Sequence, residues 1–106
     1  MNRGDVWWVD FGSAVGGEIR KGRPSIIVSN DASNKALNRV QVVPVTSNVE
    51  RLYPSEAYVE MGGQQHKAMA DQIATVSKRR LYRQQGQLSR GDLEAVERAL
   101  RVQLGL

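Results

Sequence analysis

The sequence predicts a mainly β fold with α: about five strands and then one C-terminal helix, as a small curved sheet or partly open barrel. Three observations carry this. Short apolar, β-branched segments alternate with turn residues along most of the chain. Only residues 89–106 carry apolar residues at helical spacing. The 106 residues suffice for a single domain, 1–106, and are too few for two ordinary ones.

The elements follow in order. DVWWVDF (5–11) is β-branched and aromatic and reads as a strand with apolar residues on both faces. One face would meet the core and the other a partner subunit. GSAVGGEIRKG (12–22) reads as a glycine-rich loop. PSIIVSN (24–30) is a second strand, with Pro24 at its permitted first position. DASNKALN (31–38) is a turn or one loose helical turn. RVQVVPVT (39–46) is a third strand, in which Pro44 implies a bulge or an edge.

SNVERLYPSE (47–56) reads as a loop, AYVEM (57–61) as a short strand and GGQQHK (62–67) as a turn. AMADQIATV (68–76) reads as another strand, SKRRLY (77–82) as a basic turn and RQQGQL (83–88) as a weak strand. In SRGDLEAVERALRVQLGL (89–106), Ser89 is the N-cap and Asp92 its capping-box partner. Leu93, Val96, Leu100 and Leu104 line one helical face, and Gly105 ends the helix. Glu94 with Arg98 and Glu97 with Arg101 have the spacing of favourable i,i+4 pairs.

Composition narrows the chemistry. There is no cysteine and one histidine, so disulfides, thiolate catalysis and a histidine-only metal site within one chain are excluded. His66 falls in a turn with no evident orienting partner, so it is not chosen as catalytic. No cofactor is expected. No run of about 18 apolar residues suggests a membrane span, and MNRGDVWW has no signal-peptide core. A cytoplasmic protein is expected. The formal charge of +4 favours an anionic partner, nucleic acid being the commonest, although solubility alone would also explain it.

Three features stand out. Cations cluster at Arg20, Lys21 and Arg23, and again at Lys78, Arg79, Arg80 and Arg83. Brought to one face, they would form a groove for a phosphate backbone; otherwise they are solvated turns. Thr46, followed by Ser47 and Asn48, closes an apolar strand with hydroxyls, as many strand ends do. Asp71-Gln72 places one polar group on each face of an apolar strand, for a structural hydrogen bond or for function.

At these blocks the chain resembles the MazF/PemK-type toxins of bacterial toxin–antitoxin pairs. RGDVWWVDF, GGEIRKGRPSIIVSND, VVPVTSN, YPSEAYVE and ADQIATVSKRRL are similar to successive family blocks, in family order, over nearly the whole chain. The resemblance implies an SH3-like, partly open β-barrel of about five to seven strands with a C-terminal helix, forming a homodimer. It implies a metal-independent endoribonuclease that cuts single-stranded RNA at a short sequence. It also implies a cognate MazE-like antitoxin, bound in a heterohexamer or similar complex.

By motif, the family's essential arginine falls on Arg23, its threonine on Thr46 and its loop acid on Glu18. RNA contacts are expected from Gly17, Arg20, Lys21, Asn30 and Ser47, and from Asp71, Gln72, Lys78, Arg79 and Arg80. GGEIRKG departs from many members, which carry serine and neutral residues there; the departure bears on base preference. A guanidinium fork suits phosphate oxygens but is a poor proton donor. Charge stabilisation is therefore the role expected of Arg23, and Glu18 is the local candidate for proton abstraction. The alternatives are a CcdB-like gyrase poison and a noncatalytic RNA-binding barrel. The gyrase class relies on a C-terminal aromatic end, whereas this chain ends RVQLGL.

Overall fold

A computed structural model describes residues 1–12 and 22–106. Seven antiparallel strands form one strongly curled sheet: β1 (Asp5–Asp10), β2 (Gly22–Ile27), β3 (Arg39–Thr46), β4 (Glu56–Met61), β5 (Gln64–Met69), β6 (Ala74–Ser77) and β7 (Leu81–Gln87). Two helices complete it, α1 (Asp31–Ala36) and α2 (Arg90–Leu104). The strands run β4-β5-β3-β2-β1-β7, and β6 also pairs with β3.

The central strands are apolar on both sides because both sides are covered. Ile26, Val43, Val45, Val59 and Ala68 pack beneath Val96 and Ala99 of α2. Ile27, Val40 and Val42 pack on the opposite side with Val9, Val76, Leu81 and Trp7. Both tryptophans are half-buried: Trp7 packs against this second cluster, and Trp8 lies under the Arg83 guanidinium, 5.6 Å from its ring centre.

β3 is the shared strand. One edge pairs with β2; the other pairs with β6 through Arg39–Val42 and with β5 through Val45 and Thr46. Pro44 is therefore neither on a free edge nor in a bulge, contrary to expectation. Val28 N–H donates to Gln41 O at 3.0 Å. By the alternation of an antiparallel ladder, the nitrogen of Pro44 then faces away from β2, into the gap where β3 changes partner from β6 to β5. A residue without an N–H fits there.

Several predicted boundaries move. The turn over 62–67 shrinks to Gly62-Gly63, both at positive φ (60° and 77°), as a tight hairpin demands. Gln64–Met69 becomes β5, held between β4 and β3 despite its polar sequence. The single strand predicted over 68–76 breaks at a 3-10 turn, Ala70–Gln72, which moves the chain from β5 to β6 on the same edge of β3. Residues 31–36 form a helix capped by the Asn30 side chain, which accepts from Ser33 N–H at 2.9 Å.

α2 keeps both expected caps: Ser89 Oγ accepts from Asp92 N–H at 3.1 Å, and Gly105 turns out at φ 70°. The Asp92 carboxylate, however, accepts from Glu60 N–H at 2.8 Å and so ties the helix to β4 instead of closing a capping box. Leu104 is exposed rather than packed. Glu97 pairs with Arg3 at 2.7 Å and Glu94 with Arg90 at 3.8 Å, in place of the expected partners Arg101 and Arg98.

Candidate active site

Residues on one face of a strand alternate, and cross-strand partners share a face. Arg23, Ser25 and Ile27 therefore lie on one face of β2, and Val42, Pro44 and Thr46 on the same face of β3, because Ser25 pairs with Pro44 and Ile27 with Val42. Continued two residues past its last pair, that register sets Arg23 opposite Thr46. Neither residue is fully buried. Two positions far apart in sequence thus bring a guanidinium and a hydroxyl to neighbouring strand ends.

The row extends both ways. Arg23 pairs with Val9, and Val9 with Leu81. Thr46 pairs with Lys67, and Lys67 with Tyr58. Beside Arg23, the Arg80 guanidinium donates to Asp10 O at 3.0 Å, and Asp10 pairs with Gly22. Gly22 is a close approach: a Cβ there would lie 2.2 Å from the Tyr82 hydroxyl. Beside Thr46, whose Oγ1 accepts from Asn48 N–H at 3.2 Å, Ser47 is exposed.

Lys67 was missed in the sequence. It is 8% exposed, and its Nζ lies 3.1 Å from Glu56 Oε1 and donates to Arg51 O at 2.7 Å. The only sequence signal was a charge in an otherwise turn-like segment, which is indistinguishable from a solvated lysine.

The other candidates divide. Lys78, Arg79 and Arg80 form a 3-10 turn. Only Arg80 is fixed toward Asp10; Lys78 lines a cavity with Met1, Asp31, Asn34 and Lys35 on the α1 side. Asn30 is spent as the cap of α1, past the end of β2 remote from Arg23. Asp71 and Gln72 are exposed on their turn, not on opposite faces of a strand, and the Gln72 amide reaches Met69 Sδ at 3.6 Å. Glu18, Gly17, Arg20 and Lys21 lie outside the described residues. Among the described residues, no three acidic, histidine or cysteine side chains cluster as metal ligands.

Fold and site together define a compact β-barrel with a cationic, hydroxyl-bearing edge. The profile of PemK-like, MazF-like toxins of type II toxin–antitoxin systems matches residues 2–104. Endoribonuclease MazF9 of Mycobacterium tuberculosis is 37% identical over 115 aligned positions, covering 100% of this chain and 98% of that protein. Among solved structures, a mycobacterial endoribonuclease in complex with its cognate antitoxin is 28% identical, with a TM-score of 0.84 over 100% of this chain and 96% of that one. A MazE–MazF complex from Deinococcus radiodurans is 26% identical, with a TM-score of 0.83 over 100% and 97%. The chain belongs to the PemK-like, MazF-like toxin family.

Proposed function

We propose that this chain is the toxin of a type II toxin–antitoxin pair and an endoribonuclease that cuts single-stranded RNA at a short recognition sequence, inhibiting translation and growth. The observation that carries the reading is the placement of Arg23 and Thr46 on one face of adjacent strands, in a chain of this family. The substrate supplies its own nucleophile. The ribose 2′-oxygen loses its proton and attacks the adjacent phosphorus, the bond to the 5′-oxygen breaks, and that oxygen takes a proton from water, leaving a 2′,3′-cyclic phosphate and a 5′-hydroxyl. No metal is required for that route.

Arg23 stabilises the charge that builds on the phosphoryl oxygens, a two-pronged donor to a two-pronged acceptor. Thr46 orients the phosphate or the 2′-hydroxyl through its Oγ1. Glu18 takes the 2′ proton, or holds the arginines. Arg80, with Arg20 and Lys21, draws in the backbone. Bases splayed from the single strand are read by the loops.

The antitoxin complexes of the structural relatives support a cognate MazE-like antitoxin as partner of this chain. The exposed apolar end of α2, Val102, Leu104 and Leu106, supports a homodimer, assembled with antitoxin as a heterohexamer or a similar complex. An RNA target sets its action in the cytoplasm; among the described residues no helix is long and apolar enough to cross a membrane.

The test is incubation of a long transcript with the protein in EDTA, beside Arg23→Ala, with both ends of each fragment mapped. Discrete cuts with 5′-hydroxyl ends, absent in the variant, are the expected result. Cuts made only with added divalent metal, or made equally by the variant, defeat the mechanism.

A further inference from the structure

The connection from β3 to β4, residues 47–55, begins beside Thr46 and is held at many points. Lys67 Nζ bonds Arg51 O at 2.7 Å and Glu56 Oε1 at 3.1 Å. That same Oε1 accepts from Tyr53 N–H at 2.9 Å, and Glu56 N–H donates to Tyr53 O at 2.9 Å. The Tyr58 hydroxyl donates to Val49 O at 3.1 Å. Asn48 Oδ1 accepts from Glu50 N–H at 3.2 Å.

This framework presents one aromatic ring. Tyr53 is 51% exposed, with the Arg51 guanidinium and the Lys67 ammonium each 5.8 Å from its ring centre. Exposing half a tyrosine while its backbone is bonded on both sides serves no core. Lys67 is the cross-strand neighbour of Thr46, so the ring stands one lysine side chain from the candidate catalytic hydroxyl. Glu56 neutralises Lys67, whereas Arg51 is exposed, donates from Nη1 to the Tyr53 hydroxyl at 3.3 Å and has no carboxylate partner among the described residues. A rigid exposed aromatic beside a cation with no countercharge is what an unpaired base and its phosphate require: a flat π-face to stack on and a charge for the backbone.

We propose that Tyr53 is a stacking platform for a base of the RNA next to the cleaved bond, with Arg51 on the adjoining phosphate and the Lys67–Glu56 pair as the support that fixes both. It rests on the ribonuclease reading above and adds to it a base subsite. The β3–β4 connection thereby helps to choose where the enzyme cuts.

The test compares Tyr53→Phe, Tyr53→Leu and Tyr53→Ala with the unchanged protein in two assays. One is cleavage of a long transcript, with KM, kcat and cut sites recorded. The other is binding of a mixed-sequence 2′-O-methyl oligonucleotide pool, which lacks the nucleophile and is not cut. Base–aromatic stacking predicts that Ala and Leu raise KM and weaken pool binding by about 5- to 150-fold, with kcat little changed. Phe keeps the stacking face and loses only the hydroxyl that receives Arg51 Nη1 at 3.3 Å, so it stays much closer to the unchanged protein than Ala or Leu. The unfolding midpoint of the Ala variant is unchanged.

The platform is overturned if Tyr53→Ala cuts and binds as the unchanged protein does. It is equally overturned if Leu restores as much as Phe, or if Ala weakens only the antitoxin. If the unchanged protein cuts no RNA yet pool binding still falls in the Ala variant, the ribonuclease reading fails and the base platform stands.

Discussion

Lys67→Met removes the ammonium and keeps most of the stem. Lys67 and Glu56 expose 10% and 9% of their side chains, so the pair is shielded from water on nearly all sides. After the substitution, the Glu56 carboxylate keeps the Tyr53 N–H and loses its countercharge, and Arg51 O loses its donor. Removing one member of a buried pair costs about 3–5 kcal/mol, because the other charge is left desolvated. Glu56→Gln keeps an acceptor for both donors, so about 1–3 kcal/mol is expected. The double variant Lys67→Met with Glu56→Leu leaves no buried charge and should be less destabilised than the sum of the single changes by about 2 kcal/mol. Urea unfolding followed by Trp7 and Trp8 fluorescence measures all of these, at one fixed protein concentration because assembly adds to apparent stability. If Lys67→Met falls within about 1 kcal/mol of the unchanged protein, the pair behaves like an exposed one and does not anchor the β3–β4 connection.

Other predictions follow from the same geometry. Arg23→Ala should lower kcat by about 100-fold or more with an unchanged circular dichroism spectrum, and Arg23→Lys should recover little, since an ammonium lacks the planar fork. Thr46→Ala should lower cleavage more than Thr46→Ser, which retains the hydroxyl; equal activity of the two, measured on one mapped site, removes Thr46 from the mechanism. Arg3→Ala should cost about 1–2 kcal/mol in urea unfolding, because Arg3 bonds Val28 O at 3.0 Å and Glu97 at 2.7 Å, tying the N-terminal segment to β2 and α2. Part of that cost should vanish in high salt, since the Arg3–Glu97 pair is about one-third exposed.

What was legible in the sequence was local. Ser89 and Gly105 announce the ends of α2 because a cap is decided by residues within one turn of it. β1 and β3 were readable because β-branched residues covered on both faces leave no other choice. β5 was not, since Gln64–Lys67 have no apolar pattern; its strand form comes from the neighbours it pairs with, whereas the weak strand read over 83–88 is most of β7, which begins two residues earlier at Leu81. The break at Ala70–Gln72 was invisible for a related reason. Both flanking segments pair with one edge of β3 at different heights, a demand set by β3 and not by the segment itself. Arg23 and Thr46 were singled out by family blocks; their juxtaposition is a property of register, which neither block contains.

Pro44 connects that register to the chemistry. An N–H at position 44 would point into the interval between the end of the β6 ladder at Val42 and the start of the β5 ladder at Val45. Continued by one residue, the β5 register sets position 44 opposite Met69, the last residue of β5, so the missing N–H falls at the end of that ladder. Proline removes the donor while its side chain stays on the face of Val42 and Thr46. β3 changes partners without a bulge, and the alternation of its side chains continues unbroken to Thr46. A bulge at that point would insert a residue and turn Thr46 to the α2 side of the sheet, away from Arg23. The residue that looked least compatible with a central strand thus sits at the end of a ladder, where its missing N–H leaves the strand unbroken, and β3 still delivers its hydroxyl to the face of Arg23, with Lys67 of β5 beside it.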